Sequence, residues 1–271
     1  MNSRFTKITS FAAASLLAIA LPVQAEQMNV TLAGASPGGL WTLLGAGLET
    51  ALKADEDGSS VTYQTSGGGF ANAMLVSSAR AELGLIHDAE LKIAVAGGEP
   101  FKEPIENLRT IGYLYDWAPM QFIASNKWAE ENDVKSLADI SANKVPVTIT
   151  INRAGNITGE VAAAMLEAAG ASEENIESWG GSVIRAGSKE QADLLTNGRV
   201  DVFSNGVFVG HSSIRQIENS IDMRIIGVPD EVRKKGGEEV SIADFTVPAG
   251  TYENQPDDIQ TLALGAVLVV S

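Results

Sequence analysis

The chain contains no cysteine. A protein without cysteine holds together through its core alone even in an oxidising compartment, and thiolate metal sites and thiol chemistry are excluded. Histidine is nearly as scarce, with only His87 and His211. No H-x-x-H, H-E-x-x-H or D-x-D-x-D-G spacing occurs, so nothing points to a dedicated metal site. Neither a Walker sequence nor a well-placed G-x-G-x-x-G points to a nucleotide, and no cofactor is expected. Positive charge is in deficit, with 19 Lys and Arg against 34 Asp and Glu and a formal net charge of −15. Such a field repels nucleic acid and anionic membrane surfaces, and the basic residues form no phosphate-tracking cluster. An anion would bind only where backbone dipoles or a placed arginine reverse the field locally.

The longest apolar run lies near the start. Arg4 and Lys7 precede an apolar stretch from Phe11 to Leu21, then Pro22 and the small-residue end Val23-Gln24-Ala25. This is the pattern of a secretory signal peptide over residues 1–25. The stretch is too short to span a bilayer, and no later one approaches the roughly 20 apolar residues that a transmembrane helix needs. The expectation is an exported, periplasmic protein that is not membrane-inserted after processing.

Beyond Ala25 the chain alternates short apolar runs with amphipathic stretches, the pattern of an α/β protein with mainly parallel sheets. Val30 to Ala33 reads as a strand and Gly34 to Gly39 as a polar loop. Leu40, Leu43, Leu44, Leu48, Ala51 and Leu52 then recur at helical spacing. Val61 to Gln64 is a second strand, opening into Thr65-Ser66-Gly67-Gly68-Gly69. A helix runs through Phe70, Ala73 and Met74, and Ala81 to Ile86 is a third strand. The same order recurs about 117 to 119 residues later. Val147 to Ile151 is a strand, Asn152 to Asn156 a loop, and Val161 to Ala169 a helix closed by Gly170. Gly180 to Arg185 is another strand, Ser188 and Gln191 read as a capping box for a helix stopping at Gly198, and Arg199 to Phe203 parallels Arg80 to Gly84. Two copies predict two lobes, each a mainly parallel sheet flanked by helices, joined by a hinge. The expected boundaries are 26–117 for lobe one, 118–227 for lobe two, and 228–271 for a return toward lobe one. Leu108 to Leu114 and Met120 to Ala124 are candidates to carry the chain across, with a second crossing after Ile226. One doubly wound sheet is the alternative.

Ligands of parallel α/β sheets sit beyond the carboxyl ends of the strands. Ser36, Pro37, Gly38 and Gly39 before one helix, and Thr65, Ser66 and Gly67 before another, offer backbone N–H groups, hydroxyls and the positive end of a helix dipole. The same glycines also serve as tight turns. Arg153 and Arg185 lie in or beside second-copy loops, where a guanidinium meets a carboxylate well. Trp41 and Phe70 are candidate pocket walls, Asn72 and Asn156 candidate polar contacts, and His87 follows a strand toward the same end. His211 reads as a residue that caps or precedes a helix. Gly34-Ala35-Ser36-Pro37-Gly38 also matches G-x-S-x-G, a nucleophile elbow with Ser36 as nucleophile. Against that, Pro37 removes an N–H from the standard oxyanion position, and only two histidines are available as base.

These residues resemble the TAXI family of solute receptors, the extracytoplasmic components of one branch of TRAP transporters. The resemblance runs from Leu32 to the C-terminus. It rests on Gly38-Gly39, Gln64 to Gly68, Ala81 to Ile86, Ser136-Leu137-Ala138-Asp139-Ile140, Asn197-Gly198-Arg199-Val200-Asp201 and Pro248-Ala249-Gly250-Thr251-Tyr252. It implies a two-lobed, hinge-closing periplasmic binding protein of type II kind, not an enzyme, that passes a glutamate-like amino acid or other small carboxylate to a TRAP membrane permease. It also implies that Ser36 to Trp41 and Thr65-Ser66-Gly67 hold the ligand from one lobe, and that His87 stands where many relatives carry glutamine. Two departures stand out. Asn152-Arg153-Ala154-Gly155-Asn156 replaces a Pro-Gly-Ser-Gly-like turn, and the family continues into terminal helices where this chain stops at Ser271, as a truncated form would. A receptor for an ABC importer shares the fold and is the alternative function, with a secreted serine hydrolase using Ser36 as a further one.

Overall fold

The computed structural model describes residues 27–55, 58–238 and 242–271. The expected signal peptide, 1–25, lies outside the described residues. The first copy forms β1 (Asn29–Ala33), α1 (Leu40–Asp55), β2 (Ser60–Gln64), α2 (Gly69–Ser77), β3 (Leu83–His87) and α3 (Asp88–Ala96). Leu44, Leu48 and Leu52 turn one stripe of α1 onto Leu32, Leu85 and Trp41. Leu43, expected on that stripe, is instead 56% exposed, because the helix advances it away from the sheet.

The two predicted strand segments between the copies are one element, β4 (Arg109–Ser125), 17 residues long. After it come α4 (Asn126–Glu131) and α5 (Leu137–Ala142), then the second copy: β5 (Thr148–Ile151), α6 (Ile157–Ala168), α7 (Glu173–Ser178), β6 (Ser182–Arg185), α8 (Ser188–Thr196) and β7 (Val202–Gly206). The short α7 was not legible in the periodicity; Ser172 caps it by accepting the Asn175 N–H at 3.2 Å. Gly170 adopts φ +77 just past α6, the left-handed conformation that ends a helix without a Cβ clash. The chain closes with α9 (Ser212–Ser220), β8 (Met223–Ile225), α10 (Asp230–Glu238), β9 (Ala243–Val247) and β10 (Ile259–Val270).

The strands join in the order β2-β1-β3-β10-β4-β7-β5-β6, with β8 on β4 and β9 on β10. Within each copy the pairings are parallel, β2-β1-β3 in the first and β7-β5-β6 in the second. Two long antiparallel strands connect them. β10 pairs with β3 and β4 in the first lobe, and β4 leaves β10 at Pro119 to pair with β7 from Met120 onward. The fold is therefore α/β with two lobes and a two-strand hinge. Residues beyond Ile226 first build α10, which packs on α6, and β9; β10 then makes the second crossing.

Inward-facing residues of β4, β5 and α6, among them Phe122, Ile149, Ile151, Val161 and Met165, are wholly buried. Each such side chain contributes on the order of 1.5–3 kcal/mol. This places the second lobe's sheet on a rigid base and leaves its strand ends, not its faces, for chemistry.

Candidate functional site

The carboxyl ends of the parallel strands of both lobes face one another across the crossing. Between them lies a cavity of about 40 Å³, lined from the first lobe by Ala35, Ser36, Gly39, Leu40, Trp41, His87 and Tyr115. From the second lobe come Asn152, Asn156, Thr158, Ser188, Asn205, Gly206 and Val207. A water takes about 10–15 Å³ on this measure, so the lobes in this arrangement leave room for a few waters or a very small solute.

Three helices begin at this cavity. Gly39 and Leu40 open α1, Asn156 and Thr158 open α6, and Ser188 opens α8. First-turn N–H groups lack intrahelical acceptors and carry the positive end of the helix dipole. No Lys, Arg, Asp or Glu is among the lining residues. The positive character of the site is thus backbone in origin, inside a chain whose overall charge is strongly negative.

On the second-lobe wall the polar side chains form one closed network. Asn205 donates through Nδ2 to Ser188 Oγ and Gln191 Oε1, both at 2.9 Å, while its Oδ1 accepts from Asn152 Nδ2 at 3.2 Å and lies 3.3 Å from Thr158 Oγ1. The one Thr158 hydroxyl proton is nearer Asn156 Oδ1, at 2.7 Å, than Asn205 Oδ1, and Asn156 caps α6 by accepting the Thr158 N–H at 3.0 Å. All six residues are buried. The expected capping box at Ser188 and Gln191 does not form: Gly187 is the N-cap, and both side chains turn to Asn205 instead. A buried amide with four partners in reach outweighs a local cap, because an unmet Asn205 would cost about 1–3 kcal/mol per polar group.

The first-lobe wall is aromatic. Trp41 stands 4.8 Å from His87 between ring centroids and donates its Nε1–H to Tyr115 Oη at 2.9 Å. Burial pushes the Tyr115 phenol up, so it stays an O–H. Behind His87, the wholly buried Glu90 accepts the His87 backbone N–H and faces His87 Nδ1, each 3.0 Å from Oε2. Its Oε1 accepts the backbone N–H of Ile157 across the cleft at 3.0 Å.

Of the residues singled out from the sequence, Ser36, Gly39, Trp41, His87 and Asn156 come together on the cavity. Pro37 and Gly38 sit in the same loop but are exposed. Thr65, Ser66 and Gly67 do not line it. The loop after β2 packs against the second lobe beside the cavity, where a Cβ on Gly68 would lie 2.8 Å from Gly155 O. Ser66 ties that loop internally, its Oγ lying 2.6 Å from both Gly34 O and Asn72 Oδ1 with one proton to give to either, and Asn72 donates to Gly34 O and Leu85 O. Arg153 is exposed at the rim, with its guanidinium 3.3 Å from Glu190, and Arg185 pairs with Glu173 at 3.3 Å. Phe70 packs edge-on against Phe101, away from the cavity. Ser36 and His87 share the cavity without a hydrogen bond between them. His211 caps α9, its Nδ1 accepting the Ser213 N–H at 3.2 Å.

Sequence reasoning missed Glu90, Tyr115, Asn152, Thr158, Ser188 and Asn205 as site residues. A signal existed for Asn205. Carrying the 119-residue offset that pairs Arg80 with Arg199 to the end of the third strand sets Ile86 and His87 against Asn205 and Gly206. Glu90 had none, since nothing in Asp88 to Gly97 marks one acid as buried.

Two lobes of this topology with a small cleft at the facing strand ends define the class of periplasmic binding-protein folds. The sequence pattern of the NMT1-like family matches residues 32–271, and the chain belongs to that family. No curated protein sequence matches it. Among solved structures, the chain is similar to one described as a periplasmic transporter, at 12% identity and a TM-score of 0.59, covering 90% of this chain and 76% of that one. It is similar to the binding-protein component of an ABC phosphonate transporter from Pseudomonas aeruginosa, at 15% identity and a TM-score of 0.53, covering 90% and 69%. The alkanesulfonate-binding protein SsuA from Xanthomonas axonopodis pv. citri, bound to MOPS, aligns at 12% identity and a TM-score of 0.51 over 91% of this chain. The chain spans 66% of the length of that protein. At these identities the likeness is one of fold. Among the described residues, no helix is long and apolar enough to cross a membrane, and no group of three or more His, Cys, Asp or Glu is placed to hold a metal.

Proposed function

We propose that this protein is an extracytoplasmic receptor that closes its two lobes on a small anionic solute, a carboxylate first among them, and delivers it to a membrane permease. The observation that carries the reading is the convergence of the α1 and α8 N-termini, one from each lobe, on a cavity without a charged lining side chain, the α6 N-terminus beside them being already answered by Glu90 and Asn156. An anion there is held by N–H groups and dipoles, each helix end contributing about 0.3–1 kcal/mol and up to about 2 when partly buried. Arg153 stays at the rim, so the carboxylate is read by amides and hydroxyls, with Ser36, Asn156 and Ser188 as donors.

The small cavity means that a solute of ordinary size enters an opened form, and closure then reflects its preference for the closed one. The division into lobes at 26–117 and 118–227, with 228–271 leading back, belongs to this reading. So do export through the 1–25 segment and a periplasmic location, which rest on the pattern of those residues, and a TRAP permease as partner, which rests on the sequence resemblance. Delivery to an ABC importer is the second reading, favoured by the likeness to phosphonate- and alkanesulfonate-binding proteins, whose ligands are also oxyanions.

A thermal-shift screen of the protein lacking residues 1–25 tests it, using amino acids, dicarboxylates, keto acids, sulfonates, phosphonates and sugars. A solute that binds only the folded state, at about 100 times its dissociation constant, adds about 2.7 kcal/mol. Stabilisation by carboxylates alone supports the first reading, and by sulfonates or phosphonates the second. A cooperative melt moved by sugars alone, or by nothing, would overturn the anion reading.

A further inference from the structure

The cavity wall formed by His87 differs in kind from the ring of donors around it, and a residue outside the cavity decides how. Glu90 is fully buried behind His87, and both its oxygens are committed. Oε1 accepts the Ile157 N–H, and Oε2 accepts the His87 backbone N–H and lies 3.0 Å from His87 Nδ1. Gly69 makes the room that the carboxylate occupies, since a Cβ on that residue would fall inside it. A carboxylate already accepting two backbone donors meets the imidazole as an acceptor again, so the hydrogen-bond network assigns the proton to Nδ1. The other ring nitrogen, Nε2, makes no hydrogen bond among the described residues, and His87 lines the cavity.

We propose that Glu90 is a positioning residue that fixes His87 as the Nδ1–H tautomer, so that the Nε2 lone pair is presented to the cavity as an acceptor. A solute seated there meets N–H and O–H donors from the α1 and α8 ends and one fixed acceptor from His87. The site then favours an anion that also carries an O–H or N–H beside its charged group over one without any donor, such as sulfate. Leaving a buried acceptor unmet is what rejects the poorer partner. This consequence rests on the reading of the cavity as a solute site; the tautomer does not.

The test is therefore made on the free protein. Long-range 15N–1H correlation spectra of the labelled chain at neutral pH report whether each ring nitrogen is of pyrrole or pyridine type, and a His87→Gln variant assigns the signals against the only other histidine, His211. The expected pattern is pyrrole-type Nδ1 and pyridine-type Nε2. In Glu90→Ala the acceptor is gone, and the pattern shifts toward the Nε2–H form that a free imidazole favours, with the melting transition still cooperative. A wild-type His87 with its proton on Nε2, an imidazolium with two pyrrole-type nitrogens, or a pattern unchanged in a folded Glu90→Ala protein would each overturn the proposal. If that variant does not fold, the wild-type spectrum decides alone. Failure of the solute reading would show instead as a melt unmoved by any compound, with the His87 spectrum as expected.

Discussion

Glu90 Oε1, from the first lobe, accepts the backbone N–H of Ile157, in the first turn of a second-lobe helix, at 3.0 Å. The carboxylate thus serves as the anion at the α6 N-terminus and ties the lobes directly. A hydrogen bond to a charged group is worth about 1.5–3 kcal/mol. Glu90→Ala should move the open and closed populations by roughly that amount toward open. Small-angle scattering of the ligand-free protein would show a larger radius of gyration, while an unchanged profile would mean that the tie does not govern closure.

Asn205 holds four side chains of the second-lobe wall. Asn205→Leu fills the space but strands Ser188, Gln191, Asn152 and Thr158, so unfolding in urea should lose about 2–4 kcal/mol. Affinity for any solute found in the screen should fall as well, because Ser188 and Asn156 lose their aim. A variant with near-native stability and native affinity would show the network to be dispensable.

His211 is wholly buried, and its Nε2 has no partner. Burial lowers its pKa from the ordinary 6.5 to about 4. The folded state therefore prefers the neutral ring. Its contribution is complete above pH about 6.5 and is lost as the pH falls from there toward 4, where the unfolded chain takes up the proton first; the loss reaches about 3 kcal/mol. His211→Asn keeps a good N-cap for α9 without a titrating ring. It should flatten the fall in stability over that window, measured by denaturant unfolding at stepped pH.

Ser36 lies on the cavity but has Pro37 after it and no hydrogen bond to His87. Ser36→Ala should leave ester turnover at the level of buffer, as in the wild type, while weakening solute binding by one donor, on the order of 0.5–1.5 kcal/mol. Turnover by the wild type that disappears in the variant would revive the hydrolase reading.

Much of the fold was legible because it is written in local pattern. The stripe Leu44, Leu48, Leu52 and the runs Val30 to Ala33 and Val147 to Ile151 each announce their element, and their recurrence announces two lobes. The site was less legible because it depends on what the fold brings together. Ser36, Gly39, Trp41, His87 and Asn156 stand in loops that the strand order places at the cleft. Thr65, Ser66 and Gly67 look equivalent in sequence and differ because their loop is tied to Gly34 and Asn72 and packs against the second lobe at Gly155, contacts that local pattern does not carry. Arg153 was attractive as a cation near a polar loop, yet Glu190, 37 residues on, holds it at the rim. Glu90 and Asn205 act through partners 67 and up to 53 residues away, and no window of sequence contains both ends of those bonds.

The lobes are joined by two strands hydrogen-bonded to each other from Arg109 to Pro119 and from Ala263 to Val270, with register shifts clustered about Gly265. A ribbon of this kind bends or twists but does not tumble, so it confines the opened lobes to a narrow family of orientations. Most of the rotational entropy of bringing the two half-sites together has then been surrendered during folding, before any solute arrives. A ligand of only a few heavy atoms, whose total contact energy is small, can for that reason hold the molecule shut.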